Sequence, residues 1–354
     1  MNKVALYFLT LLLFSCAKKN QDVGLQISGI DTLALAKHIE ILASDEFQGR
    51  RPFTEGEEKT VKYITDNFIE LGLQPGNGES YYQEVPLVEL DANPADQLVI
   101  EGNGNNVTLD FGPDFITVTE RVEEEVKLER SALGFAGFGI VAPEYGWNDY
   151  EGLDVKGKTV IVLVNDPGFG SGDSTLFKGE TMTYYGRWTY KYEEATRQGA
   201  AGVLIVHETA PASYPWMVVR TSWSGASLYL DNPQDQFQPI IQGWITRDAA
   251  IRIFEASDVD LRNFVERSRR KGFKPIDLGL KISGSIKNGI KKNTSKNVIA
   301  KIVGTTRPEE IIVYTAHWDH FGIGDPIDGD SIYNGAHDNA SGVAGLLEIA
   351  KEFK

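Results

Sequence analysis

The sequence has little cysteine and little positive charge, and both shortages exclude classes of protein. Cys16 is the only cysteine among 354 residues, so no internal disulfide can form and stability must come from packing or bound metal. Lysine and arginine total 35 against 50 aspartates and glutamates, which gives a formal net charge of -15. Binding to nucleic acid needs clustered Lys and Arg, so a nucleic-acid partner is not expected. A hydrophobic content of 42% is ample for globular cores and excludes a disordered chain.

Long hydrophobic runs are also missing. An apolar run over residues 4–14, preceded by Lys3, is too short to span a bilayer. It ends in Leu13-Phe14-Ser15-Cys16, which resembles the processing site of a bacterial lipoprotein. We therefore expect a signal peptide over 1–16, a lipid anchor at Cys16 and a polar tether over 17–27. The protein would then be exported and held at a membrane of the bacterial cell envelope. The alternative is a plain secretory signal with an incidental cysteine.

Two helices are predicted where the body of the protein begins. Apolar residues at helical spacing follow Asp31 and end by Ser44, which predicts a capped helix. Thr54 and Glu57 fit a capping box for a second helix, and Gly72 is placed to adopt a left-handed conformation at its end.

The middle of the chain predicts a βαβ pattern. Two β-branched runs, 158–164 and 203–206, are typical of buried strands, and a helix is predicted between them over 190–198. His207, Asp166 and Asp173 lie in this region, but without ligand spacing they do not predict a metal site.

After this region, residues 248–264 are predicted to be helical. The basic run 267–274 is interpreted as the solvent-exposed face of a linker.

The segment 309–354 contains the residue types of a metal site. The β-branched run 311–314 predicts a strand buried on both faces, with His317 just beyond its end, where open α/β sheets bind ligands. Asp338 precedes a run with helical spacing. A neutral imidazole at His317 suits Zn²⁺, and Asp319 is of the right type to accept a hydrogen bond from its other nitrogen. The carboxylate of Asp338 has two oxygens and can bridge two metals.

The sequences AHWDH and NGAHDNASG together resemble the first two metal-binding segments of the di-zinc peptidase family M28, which includes aminopeptidases and glutamate carboxypeptidases. The resemblance implies that His317 is a ligand of one zinc, that Asp319 orients it and that Asp338 bridges two zinc ions. It also implies a cis peptide bond between Asp338 and Asn339. In the same family, a Gly-Arg pair like Gly49-Arg50 precedes the long helix. We interpret Arg50 and its neighbour Arg51 as structural residues.

The resemblance implies an α/β fold with a mixed, mostly parallel central sheet, helices on both of its faces and a smaller β-rich protease-associated insert. The domain prediction is an N-terminal peptidase part over 28–114, the insert over 115–245 and a continued peptidase part over 246–354.

Four other features near the predicted ligands do not match family ligands. Glu348 and Glu352 are interpreted as the solvated face of the last helix, and residues 321–334 as a Gly- and Asp-rich loop. Three aspartates in that loop, Asp325, Asp328 and Asp330, are interpreted as solvated rather than as calcium ligands. His320 and His337 are interpreted as neighbours of ligands.

Family members have a general-base glutamate and further ligands downstream of the segments matched here, so the chain is expected to be truncated. The general base is expected to be absent from it, and the 354 residues alone are expected to be inactive. The complete protein is predicted to be a zinc-dependent exopeptidase, an aminopeptidase acting on peptides. A carboxypeptidase of the same family and a non-catalytic peptide-binding relative are the alternatives. Residue specificity and oligomeric state are not predicted.

Overall fold

The computed structural model describes residues 29–232 and 238–354. The predicted signal peptide, lipidation site and tether, all within residues 1–27, lie outside the described residues. The α-helices are α1 (Thr32–Leu42), α2 (Glu55–Glu70), α3 (Trp188–Arg197), α4 (Thr209–Ala212), α5 (Trp216–Ser222), α6 (Arg247–Ala256), α7 (Leu261–Ser268) and α8 (Ser341–Phe353). Short helical turns of other types span Asp45–Arg50, Pro143–Tyr145, Tyr184–Gly186 and Ala336–Ala340.

The strands are β1 (Gln74–Pro75), β2 (Tyr82–Pro94), β3 (Gln97–Gly102), β4 (Asn105–Asp110), β5 (Phe115–Val118), β6 (Glu125–Phe135), β7 (Val141–Ala142), β8 (Trp147–Asn148), β9 (Thr159–Leu163), β10 (Gly202–His207), β11 (Gly225–Leu230), β12 (Ile241–Thr246), β13 (Ile276–Val298), β14 (Ala300–Lys301), β15 (Gly322–Ile327) and β16 (Asp330–Tyr333). No helix among the described residues is both long and apolar enough to span a membrane.

The chain divides into two compact units. Among the described residues, the first consists of residues 29–83 and 298–354, and the second of residues 84–232 and 238–297. The predicted insert boundaries, 115 and 245, lie inside the second unit rather than at its ends. The ends of this unit differ from the predicted boundaries because β2, β3, β4 and β13 join its sheet. The mixed polar and apolar sequence of these strands does not distinguish them from flanking segments.

The second unit is built on a ten-stranded mixed sheet with the order β11-β2-β13-β6-β9-β10-β12-β5, to which β3 and β4 are added beside β13. The pairs β6–β9, β9–β10 and β10–β12 are parallel. The outer pairs, such as β12–β5 and β13–β6, are antiparallel. The predicted α/β class with a mixed sheet is confirmed, but the sheet belongs to this unit and its parallel pairs are confined to four neighbouring strands.

The central strands are buried on both faces, as their β-branched sequences predict. In β9, Val160 and Val162 pack on one face in a cluster with Tyr192 of α3. Ile161 and Leu163 pack on the other face with residues of α6 and α7, among them Phe254. The predicted strands over 158–164 and 203–206 and the helix between them are thus confirmed as β9, β10 and α3.

The helical segment predicted over 248–264 forms two helices, α6 and α7. Asp258 has a left-handed backbone with φ of 57° between them, and the side chain of Asp260 accepts a hydrogen bond from Arg262 N at 2.9 Å, which caps α7. An aspartate can both adopt this conformation and cap a helix, so the chain stops α6 and begins α7 within a few residues.

The first unit packs α1, α2 and α8 around a small apolar core that includes Leu42, Phe68 and Leu347. Asp31 caps α1, since its carboxylate accepts from Leu33 N and Ala34 N. Gly72 has φ of 69° after α2, as predicted. The predicted capping box is not formed. The Thr54 side chain makes no hydrogen bond to the first turn of α2 and donates to the Arg51 carbonyl instead, and Glu57 accepts from Phe53 N.

The prediction of a strand over 311–314 is wrong. These residues have no regular secondary structure, and Ile311 and Ile312 are each 81% exposed. A strand buried on both faces needs neighbouring strands and a layer on each side, and among the described residues none pairs with this segment. The loop predicted over 321–334 is instead a β-hairpin, in which β15 pairs with β16.

Candidate metal centre

The candidate centre lies in the first unit, where His317, Asp319 and Asp338 come together. His317 Nε2 lies 3.2 Å from Asp338 Oδ1. His317 Nδ1 lies 3.2 Å from the backbone oxygen of Asp319 and 3.5 Å from its carboxylate. Both ring nitrogens of His317 thus face oxygen acceptors, and a hydrogen placed on Nδ1 would leave the Nε2 lone pair for a metal ion bound beside Asp338. The orienting group is therefore the carbonyl of Asp319 at least as much as the carboxylate that the sequence suggests.

Asp338 lies in the turn that leads into α8. This turn, Ala336–Ala340, has non-helical backbone angles at Asp338 and Asn339, and the peptide bond between these two residues is cis, as the family resemblance implies. The side-chain oxygen of Asn339 accepts a hydrogen bond from Gly342 N at 3.1 Å, which fixes the turn to the first residues of α8. Asp338 therefore projects from a defined backbone, with its side chain 63% exposed.

The two oxygens of Asp338 face different imidazoles. Oδ1 faces His317, whereas Oδ2 lies 4.0 Å from His320 Nδ1. Burial lowers the pKa of His320, against the attraction of Asp338, so the neutral imidazole is favoured. His337, the other neighbouring histidine, is exposed, and its backbone carbonyl accepts from Ser341 Oγ.

Arg50 connects the two segments that carry these residues. Its side chain is 1% exposed, and it donates to the carbonyl oxygens of Trp318, Leu42, Asn334 and Gly335 at distances from 2.5 to 2.8 Å. Burial lowers the pKa of Arg50, whereas Asp319 and Asp338 raise it; a guanidinium nevertheless stays charged in proteins. The interpretation of this arginine as structural agrees with these contacts.

Two glycines allow the close approach of these segments. A Cβ at Gly49 would lie 2.5 Å from the Tyr333 carbonyl oxygen and 2.6 Å from that of Gly322. A Cβ at Gly335 would lie 2.4 Å from the backbone oxygen of Asp338 and 2.6 Å from the His320 ring. Both glycines have positive φ, of 64° and 60°, so both the space and the backbone conformation require glycine.

The donor set fits part of a zinc site. A neutral imidazole and a carboxylate are two of the ligand types that Zn²⁺ takes, and both are accessible here. A structural zinc normally has four protein ligands and a catalytic zinc three. Among the residues that the structure describes, no group of three or more His, Cys, Asp or Glu side chains is close enough to hold a metal ion. The described residues thus supply two ligand side chains for such a site.

Glu348 is not on a solvated face, and that interpretation is wrong. It is 1% exposed, lies 3.6 Å from His38 Nε2 and accepts from Lys351 Nζ at 3.3 Å. His38 Nδ1 in turn lies 2.6 Å from the hydroxyl of Tyr63. Glu348 faces inward because α8 packs against α1, an arrangement that the four-residue spacing of Glu348 and Glu352 does not reveal.

Three of the other acidic and histidine candidates have structural partners. Asp166 is fully buried and accepts from Thr183 N and Oγ1, and His207 Nε2 donates to the Tyr214 carbonyl at 3.0 Å. Asp330 accepts from Ile332 N within the hairpin. These contacts agree with leaving them out of the predicted metal site.

One buried ionisable pair has no signal in the sequence. Lys191 and Asp149 of the second unit are both at most 1% exposed. Burial lowers the pKa of Lys191 and raises that of Asp149. Lys191 Nζ donates to the carbonyls of Asn165 and Tyr185, so it joins α3 to the loop after β9 as a structural residue.

Comparison with known proteins identifies the segment that carries the candidate centre. Residues 297–354 match the sequence model of Peptidase family M28. The match is to the last part of the chain, and it begins where the chain re-enters the first unit.

An aminopeptidase from Aneurinibacillus sp. strain AM-1 is among the similar solved structures, at 17% identity and a TM-score of 0.40. The match covers 93% of this chain and 60% of that chain, so the present chain spans less than two thirds of that protein's length. A likeness at this level carries no inference about the site. No curated protein matches the chain.

Proposed function

We propose that this protein is a zinc-dependent exopeptidase that removes N-terminal residues from peptides. The observation that carries the proposal is the 3.2 Å approach of His317 Nε2 to Asp338 Oδ1, inside the segment that matches peptidase family M28. These two side chains are remote in sequence and converge only because the turn before α8 folds back on the segment that carries His317.

His317 and Asp338 would hold the metal, and each has a supporting contact. His317 Nδ1 lies 3.2 Å from the Asp319 carbonyl oxygen, an acceptor that would hold the ring hydrogen on Nδ1 when Nε2 binds a metal. The separate directions of the two Asp338 oxygens support a bridging role between two zinc ions. Bound zinc would polarise the scissile carbonyl and lower the pKa of a water molecule. The general base and the remaining ligands are not assigned to described residues.

The activity test uses the purified full-length protein. It compares zinc content with release of free amino acids from peptides that have either a free or an acetylated N-terminus. Cleavage only of the free-amine peptide would support an aminopeptidase. Cleavage of both, from the other end, would favour a carboxypeptidase, and binding of peptide without zinc or cleavage would favour a non-catalytic relative.

We also propose that the protein is exported and anchored to a membrane of the bacterial cell envelope through lipid on Cys16. The motif Leu13-Phe14-Ser15-Cys16 supports this proposal. Replacement of the cysteine by alanine is expected to move the protein from the membrane fraction to the soluble fraction, and an unchanged distribution would contradict the anchor.

A further inference from the structure

Arg50 makes an unusual set of contacts for a buried arginine. Its four hydrogen bonds go to backbone carbonyl oxygens in three separate parts of the first unit. One part is the end of α1 at Leu42, the second is Trp318, and the third is the pair Asn334 and Gly335. Hydrogen bonds from a charged donor are roughly twice as strong as neutral ones, so this side chain is well suited to fix backbone that has no regular secondary structure.

The carbonyls that Arg50 contacts lie next to the candidate ligands. Trp318 stands between His317 and Asp319 in the sequence, and Gly335 opens the turn that contains Asp338. The backbone of Arg50 adds a further contact, because its carbonyl accepts from His320 N at 3.3 Å. Arg50 therefore links two segments that also meet through the ligand side chains, through the His320 ring beside Gly335 and through the apolar cluster shared by Trp318 and Ala340.

We propose that Arg50 is a positioning residue that holds His317 and Asp338 at metal-binding distance. This inference rests on the proposed zinc site. It goes beyond a purely structural role, because it predicts a change in metal affinity and in the tautomer of the His317 ring. A general loss of stability does not produce these two effects.

Arg50→Lys is the informative substitution. It keeps the positive charge, but a lysine has all of its donors on one nitrogen, whereas the guanidinium presents donors in a planar fork. A single ammonium cannot reach carbonyls that are bonded separately by Nε, Nη1 and Nη2. The matched control is Phe68→Leu, which lowers stability in the same core from the far end of α2, where Phe68 is 4% exposed.

The measurements are zinc affinity, the visible absorption of bound Co²⁺, and the ¹⁵N shifts of the His317 ring in the metal-free protein. With five histidines in the chain, the ring signals can be assigned by substitution. Arg50→Lys is expected to weaken zinc binding by about 10- to 100-fold, as loss of outer contacts does at metal sites. It should also change the Co²⁺ spectrum and move the His317 signals toward a mixture of tautomers. The control should leave all three readouts as in the wild-type protein.

Zinc binding by Arg50→Lys that is as tight as wild type, with unchanged His317 signals, would overturn the proposal. An equal loss in Phe68→Leu would also overturn it, by assigning the effect to stability alone. If the wild-type protein binds no zinc, the proposed function fails, and the His317 signals of the metal-free variants still decide the role of Arg50. If Arg50→Lys does not fold, Gly49→Ala provides a second comparison. Its added methyl group would lie 2.5 Å from the Tyr333 carbonyl oxygen and 2.6 Å from that of Gly322, so the backbone that carries Arg50 must shift away from its carbonyl partners.

Discussion

Addition of one methyl group at Gly335 should strongly disrupt the backbone of the candidate centre. Its φ is 60°, and a left-handed conformation costs an alanine about 1–2 kcal/mol. The new Cβ would also lie 2.4 Å from the backbone oxygen of Asp338 and 2.6 Å from the His320 ring, and forcing a methyl group into such a site typically costs about 1–3 kcal/mol more. Gly335→Ala should therefore destabilise the first unit by about 2–5 kcal/mol.

The same chain offers a control in α8. Gly345 has a helical backbone, and no atom lies within 4 Å of its added Cβ. Gly345→Ala should stabilise the helix by about 0.5–1 kcal/mol. Hydrogen exchange of peptides from α8, read by mass spectrometry, reports the first unit separately from the second. Zinc affinity, measured in parallel, should fall for Gly335→Ala and stay unchanged for Gly345→Ala. Equal stability and equal affinity of the two variants would refute the packing argument.

Two further predictions concern buried ionisable groups. Burial lowers the pKa of His207 below 6.5, so the unfolded state binds more protons than the folded state in mildly acidic solution. The free energy of unfolding of the second unit should therefore fall as pH drops from 7 through 6.5 and below, and His207→Gln should flatten this dependence; an unchanged slope in denaturant titrations would contradict the assignment. Glu348→Ala should destabilise the first unit by about 1–3 kcal/mol, because a buried acceptor of Lys351 and neighbour of His38 is lost. A change within about 0.5 kcal/mol, typical of exposed positions, would favour a surface role instead.

Local signals in the sequence predicted the elements that depend on local physics. The cap at Asp31, the left-handed Gly72 and the β-branched run of β9 each act through nearest neighbours or through burial on both faces of a sheet. The ligand candidates His317 and Asp338 came from the resemblance of their motifs to a known family, and the structure brings their side chains together; that they bind metal stays a prediction.

The wrong predictions concern residues whose structure depends on partners that are remote in sequence. Residues 311–314 have the composition of a buried strand, but composition does not supply the neighbouring strands that burial needs. Glu348 has helical spacing with Glu352, yet its burial is decided by the packing of α8 on α1. The structural interpretation of Arg50 agrees with its contacts, but its partners could not be predicted, because they are carbonyl groups such as those of Trp318 and Gly335, and backbone groups leave no trace in a sequence pattern.

Zinc binding by the purified full-length protein, compared among three single variants, tests the central claim most directly. His317→Ala and Asp338→Ala should each abolish tight binding. His337→Ala, at an exposed neighbour of Asp338, should bind as the wild-type protein does. Tight zinc binding that survives in both His317→Ala and Asp338→Ala would place the metal elsewhere and contradict the account.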